Sequence, residues 1–151
     1  MSEKVKKEIF EWIKVFALAI VFAFVITQFI KPTLVRGDSM YSTLEEGDYL
    51  IINRMSYKFG EPKRGDIIVF ESDLQQDDGT NKDLVKRVIG VSGDTIKIKD
   101  YKVYVNGKEL NEPYIHDEIT EGDIDTVVPE NSVFVLGDNR EISLDSRYEQ
   151  V

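Results

Sequence analysis

A chain of 151 residues can bury the core of one domain and leaves little room for a second. Its 42% apolar and 31% charged residues describe a globular protein, and a formal charge of −9 makes it a poor nucleic-acid binder. The lack of cysteine rules out disulfides, thiolate metal sites and a cysteine nucleophile, and a single histidine, His116, cannot build a multi-histidine metal site. Neither a P-loop nor a dinucleotide-binding glycine fingerprint occurs, so no metal and no cofactor is expected.

The charge is uneven along the chain. Residues 1–30 carry four lysines and three glutamates, while the remaining 121 carry 15 basic and 25 acidic side chains. Residues 1–8 read as a charged terminus and 9–31 as a membrane anchor built on "VFALAIVFAFVITQFI", Val15 to Ile30. That run is apolar on every face and would span about 24 Å as a helix. Trp12 suits the interfacial aromatic belt, and Lys14 can snorkel its ammonium to the surface. "TQFIKPT" lacks the small residues of a cleaved leader, and Pro32 discourages helix at Lys31. Lys4, Lys6, Lys7 and Lys14 outnumber Lys31 and Arg36, which predicts a cytoplasmic amino terminus and an extracytoplasmic domain over 32–151.

Beyond the anchor the periodicity is that of strands. "DYLIINR", "GDIIVF", "LVKRVIGV", "DTIKIKD", "KVYVNG" and "SVFVLGD" are short β-branched or aromatic runs bounded by turn residues. Asn106-Gly107 predicts a hairpin turn, and Lys97, Lys99 and Lys102 read as the wet side of an antiparallel pair. Glu71 to Asp83 is predicted to be a surface loop, and its acids do not match a calcium-binding loop. The fold class is therefore mostly β: one amino-terminal transmembrane helix, then an antiparallel β domain.

Three places could carry chemistry. Ser39, in "RGDSMYSTL", is either a turn residue or a nucleophile nine residues beyond Ile30, where the apolar run ends. A serine nucleophile needs a base, and His116 sits in a polar loop. A lysine can serve if desolvation keeps it neutral. Lys86, with Leu84 and Val88 on its face, fits that requirement or snorkels from a sheet edge; Arg87, flanked by Val85 and Ile89, has an equally apolar face. Ser143, Asp145, Ser146 and Arg147 form a polar cluster that could orient such a base or be a solvated loop.

"GDSMYSTL" (37–44), "VKRVIGVSGD" (85–94) and "GDNREISLDSR" (137–147), in this order after an anchor, resemble the bacterial type I signal peptidases. "GDYLIINRMSY", "RGDIIVF" and "YVNGKELNEPY" extend the likeness over nearly the whole chain, and the single anchor is similar to the short form of Gram-positive bacteria. The resemblance implies a membrane-bound serine endopeptidase with a Ser-Lys dyad that removes signal peptides from secretory preproteins with small residues before the cut. Ser39 would be the nucleophile and Lys86 the general base. Ser143 would hydrogen-bond the lysine amine, and Asp145 and Arg147 would support that loop. The Ser39 N–H would meet the oxyanion, and Gly37 supplies no second hydroxyl donor. The alternative is an inactive tethered homologue that binds exported proteins without cutting. Ser42 stands where the family commonly has proline, and family members usually continue beyond the third motif, so the expectation is a truncated chain or a sheet lacking one element.

Overall fold

The computed structural model describes residues 2–76, 78–116 and 119–148. Helix α1 (Glu3–Phe29) is about 40 Å long at the usual rise per residue. Ser2 caps it by accepting the Val5 N–H at 3.4 Å, and Glu3 complements the positive end of the helix dipole. None of its side chains is buried, and it is the one helix among the described residues long and apolar enough to cross a membrane. Pro32 cannot continue a helix, and the chain passes directly into strand β1 (Ile30–Leu34). β1 pairs with β2 (Tyr49–Asn53) from Ile30↔Asn53 to Leu34↔Tyr49. β2 is its one sheet neighbour, so the missing N–H of Pro32 can point away from the ladder.

After the short helix α2 (Ser56–Phe59) come two antiparallel sheets. One joins β3 (Ile67–Gln75), β4 (Asn81–Val91) and a late strand, β9 (Val133–Leu136), in the order β3-β4-β9. The other joins β5 (Thr95–Lys99), β6 (Lys102–Val105), β7 (Lys108–Glu109) and β8 (Ile124–Val127) in the order β7-β6-β5-β8. All six runs read from the sequence form strands, and Asn106 and Gly107 make the β6–β7 turn with φ of 53° and 76°, as a tight hairpin requires.

Three features differ from the sequence reading. The expected loop over Glu71–Asp83 is mostly hairpin, with Glu71 paired to Asp83, Gln75 to Asn81, and the Ser72 hydroxyl on the Lys82 carbonyl at 2.8 Å. Most of its polar residues are exposed along two strand arms, with Ser72 buried, and composition alone reads such arms as loop. β1 was hidden by its proline, and β8 by the acidic residues around "IDTV".

The core lies where the two sheets meet. Ile89, Ile96, Ile98, Val103, Val105, Val128, Phe134 and Leu136 form the main cluster, and Ile68, Val88 and Val135 a second. Alternation does the sorting in β5: Ile96 and Ile98 are fully buried, while Lys97 reaches Asp125 at 2.7 Å on the wet face. β4 is shared unequally. It pairs with β3 at Asn81 and over residues 83–87 but with β9 only from Arg87 onward, which leaves its other edge over 81–86 without a strand partner among the described residues.

Candidate active site

That free edge forms one wall of a cleft of about 700 Å³. Residues directly after the helix, Lys31 to Met40, supply another, and Ile142 and Leu144 close it from the third motif. Ser39 lies in the loop between β1 and β2. The loop is fastened at its base by Val35 N–H on the Asp48 carbonyl (2.9 Å), and beside the serine by buried Met40.

Lys86 projects from β4 into the same place. Its Nζ lies 2.8 Å from Ser39 Oγ and 3.0 Å from the Val85 carbonyl, and the side chain is 2% exposed. Burial pushes the Lys86 ammonium down from 10.5 to about 8. The charge of Asp145 opposes that shift and the charge of Lys82 assists it. The choice between adjacent cations is thus resolved by their faces. Arg87 points the other way and pairs with buried Asp138 through Nε (2.8 Å) and Nη2 (2.6 Å).

Asp145 is fully buried and accepts from Gly137 N–H (3.0 Å) and from Arg147 Nε (2.8 Å) and Nη2 (3.0 Å). Arg147 also donates to the carbonyls of Arg140 and Ser143, so the pair clamps the turn after β9. Ser143 departs from expectation. It is buried beside Gly137, and its hydroxyl has no hydrogen-bond partner among the described residues, so the expected bond to the Lys86 amine is not formed. The amine is occupied by Ser39 and Val85 instead.

Gly137 is required by space. A Cβ there would sit 2.1 Å from Ser143 Oγ and 2.4 Å from the Ser39 carbonyl oxygen, both far inside contact distance. Gly137→Ala must therefore push the serine loop off the third motif. Any activity that depends on the Ser39–Lys86 pair should fall by about tenfold or more, with a stability loss of about 1–3 kcal/mol, measured as specific activity and a denaturant midpoint.

The sequence matches the family described as signal peptidase, peptidase S26, over residues 9–151. The chain belongs to the signal peptidase family. It is 41% identical to signal peptidase I of Bacillus licheniformis, covering 97% of this chain and 82% of that protein. It is 40% identical to signal peptidase I S of Bacillus subtilis strain 168, covering 94% and 80%. A crystal structure of a signal peptidase I from Enterococcus faecalis V583 aligns with a TM-score of 0.49 at 35% identity, over 59% of this chain and 86% of that one. This family member is a membrane-anchored serine peptidase, and α1 is the apolar helix that anchors it.

Two clusters around the pair escaped the sequence reading of this signal peptidase. Thr43 donates to Asp138, which ties the serine loop to the Arg87 ion pair. Arg140, fully buried, donates to Glu112, Thr120 and the Gly137 carbonyl. The available signal was charge: two arginines in apolar or turn contexts require buried counter-ions, but pattern cannot say which carboxylates supply them.

Proposed function

We propose that this signal peptidase cleaves secretory preproteins with Ser39 as acylating nucleophile and Lys86 as its general base. The observation that carries the assignment is the 2.8 Å separation of Lys86 Nζ and Ser39 Oγ with the lysine almost wholly out of solvent. A neutral amine has two N–H groups and one lone pair. With one N–H on the Val85 carbonyl, the lone pair can accept the Ser39 hydroxyl proton as the oxygen attacks the scissile carbonyl. The resulting ammonium returns its proton to the leaving amine, and water repeats the cycle on the acyl-serine. The Ser39 N–H is the assigned oxyanion donor.

Geometry also supports how substrate is held. Residues 81–86 of β4 present an unpaired edge along the cleft, so an extended peptide can add to it as a strand. Buried Met40 and Val35 with Leu144 give the cleft apolar walls, in keeping with a preference for small residues before the cut. The anchor, assigned to residues 9–31, runs straight into the cleft wall at Lys31. It holds the extracytoplasmic domain (32–151) at the bilayer surface, where a signal peptide ends, and raises effective concentration without new contacts. The lysines of residues 1–14 favour an amino terminus in the cytoplasm. Asp145 and Arg147 support the third motif, in which Ser143 lies buried beside Gly137.

The test is cleavage of a preprotein bearing an A-x-A site, in lipid vesicles, by the full chain beside Ser39→Ala. Cleavage by the parent and none by the variant is the expected result. Equal cleavage by both would remove Ser39 from the mechanism.

A further inference from the structure

We propose that Glu112 and Tyr114 are positioning residues for the Ser39–Lys86 pair, acting through Arg140 and Arg87 to hold the Gly137–Asn139 backbone against the serine loop. The proposal rests on the reading of Ser39 and Lys86 given above. It assigns work to "NEPY", a stretch 25 or more residues from Lys86 in sequence, on the side of the four-stranded sheet.

The segment after β7 is rooted at both ends in that sheet. Leu110 N–H meets the Val103 carbonyl at 2.8 Å, and Thr120 N–H meets the Tyr101 carbonyl at 3.1 Å. Between these roots Glu112 and Tyr114 reach toward the other sheet. The Glu112 carboxylate, 7% exposed, accepts both terminal nitrogens of Arg140, which is itself fully buried. The Tyr114 hydroxyl donates to the same carboxylate at 3.0 Å, which fixes the ring. Over that ring, 4.0 Å from its centre, lies the guanidinium of Arg87.

Both arginines end on the Gly137–Asn139 turn, Arg140 on its backbone and Arg87 on the Asp138 side chain. Arg140 Nε donates to the Gly137 carbonyl at 3.0 Å. Arg87 grips Asp138 with two nitrogens and the Gly65 carbonyl with a third. Asn139 N–H donates to the Ser39 carbonyl at 3.1 Å, and Thr43 closes the circuit from the serine loop to Asp138. The carboxylates of Glu112 and Asp138 meet the guanidinium groups of Arg140 and Arg87 with all four side chains at most 12% exposed, so removal of either carboxylate weakens a buried charge pair. Arg87 is also the residue after Lys86 on β4, so its guanidinium is anchored on the base's own strand. Displacement of a reacting group by about 1 Å can cost about 10²-fold.

The charges that act on Lys86 are those of Asp145 and Lys82, so loss of Glu112 should leave the pH midpoint of turnover in place. For Glu112→Gln in lipid vesicles, kcat should fall by about 10–100-fold with KM within about twofold of the parent. Tyr114→Leu should lower kcat likewise, and Tyr114→Phe, which keeps the ring under Arg87, should restore most of it. Lys102→Ala, which breaks an exposed pair at the same sheet edge, should leave turnover alone. Rates are taken per folded molecule from circular dichroism and thermal melts, and the two Tyr114 variants carry the test should Glu112→Gln not fold. Lowered stability with kcat per folded molecule held within about twofold would overturn the proposal. So would Tyr114→Leu and Tyr114→Phe being equal. Both results are read against Ser39→Ala: a dead serine variant beside an unaffected Glu112→Gln removes the positioning role alone, whereas cleavage independent of Ser39 removes the catalytic reading and this one with it.

Discussion

Lys86→Met is expected to lower kcat/KM by about 10²–10⁴-fold, the usual worth of a positioned general base, while making the protein more stable near neutral pH. The two effects have one cause. The lysine sits 2% exposed against Ser39, and its conjugate acid is held down at about 8 against 10.5 for a free side chain. In the parent, turnover should rise with pH through about 8, as the amine loses its proton and gains the ability to accept one from Ser39. Lys86→Arg keeps a cation that does not deprotonate in this range and should be equally inactive. The double variant Ser39→Ala with Lys86→Met should be no worse than either single one, because the two groups act as a unit.

The stability side follows from linkage. A lysine whose folded value lies below its unfolded value binds fewer protons in the folded chain, so stability rises with pH between about 8 and 10.5. Below that window the buried amine costs on the order of 3 kcal/mol, and methionine, of similar shape and uncharged, does not. Lys86→Met should therefore melt above the parent at pH 6, with the advantage fading by pH 10.5. Melting curves at the two pH values check this; an advantage that is the same at both would mean that Lys86 is not desolvated in solution.

How far the sequence foretold this site depends on which interactions are local. The anchor was legible because hydropathy is a property of one segment, and β5 and β6 because alternation in "TIKIKDYKVYV" reports directly on a half-buried hairpin. The arms at Glu71–Gln75 and Asn81–Asp83 were not legible: apart from Ser72 and Leu74 their side chains are exposed and polar, so no hydrophobic alternation marks them. Lys86 could not be preferred to Arg87 from pattern, since both have apolar neighbours two residues away. The structure separates them by what waits on each face, a serine for one and the Asp138 carboxylate for the other. Family resemblance selected Ser39, Lys86, Asp145 and Arg147, and the fold brings all four to one cleft edge and one turn. It gave no notice of Glu112 and Tyr114, whose meaning exists only once two sheets have been brought together around Arg87 and Arg140. Ser143 marks the opposite case: the resemblance named it, its hydroxyl lies buried beside Gly137, and its expected bond to the amine is absent.

Asp145→Asn is expected to cost about 3–5 kcal/mol, the usual penalty for removing one partner of a buried ion pair, and to move the pH profile of whatever activity survives. The carboxylate is fully buried, and Arg147 beside it is itself only 6% exposed, so the guanidinium would be stranded out of water. Asparagine can still accept from Gly137 N–H, which keeps the turn near its place and separates the charge effect from a collapse of the backbone. The same negative charge is what opposes the desolvation of Lys86. Without it the ammonium is disfavoured further, its pKa falls, and the rise of turnover with pH should shift to the acid side of the parent's midpoint near 8. The direction discriminates between two roles for the pair. An acid-side shift together with lost stability means that Asp145 both braces the third motif and restrains the base. Lost stability with an unmoved midpoint would confine it to bracing, and a shift toward alkaline pH would contradict the electrostatic link between this turn and Lys86.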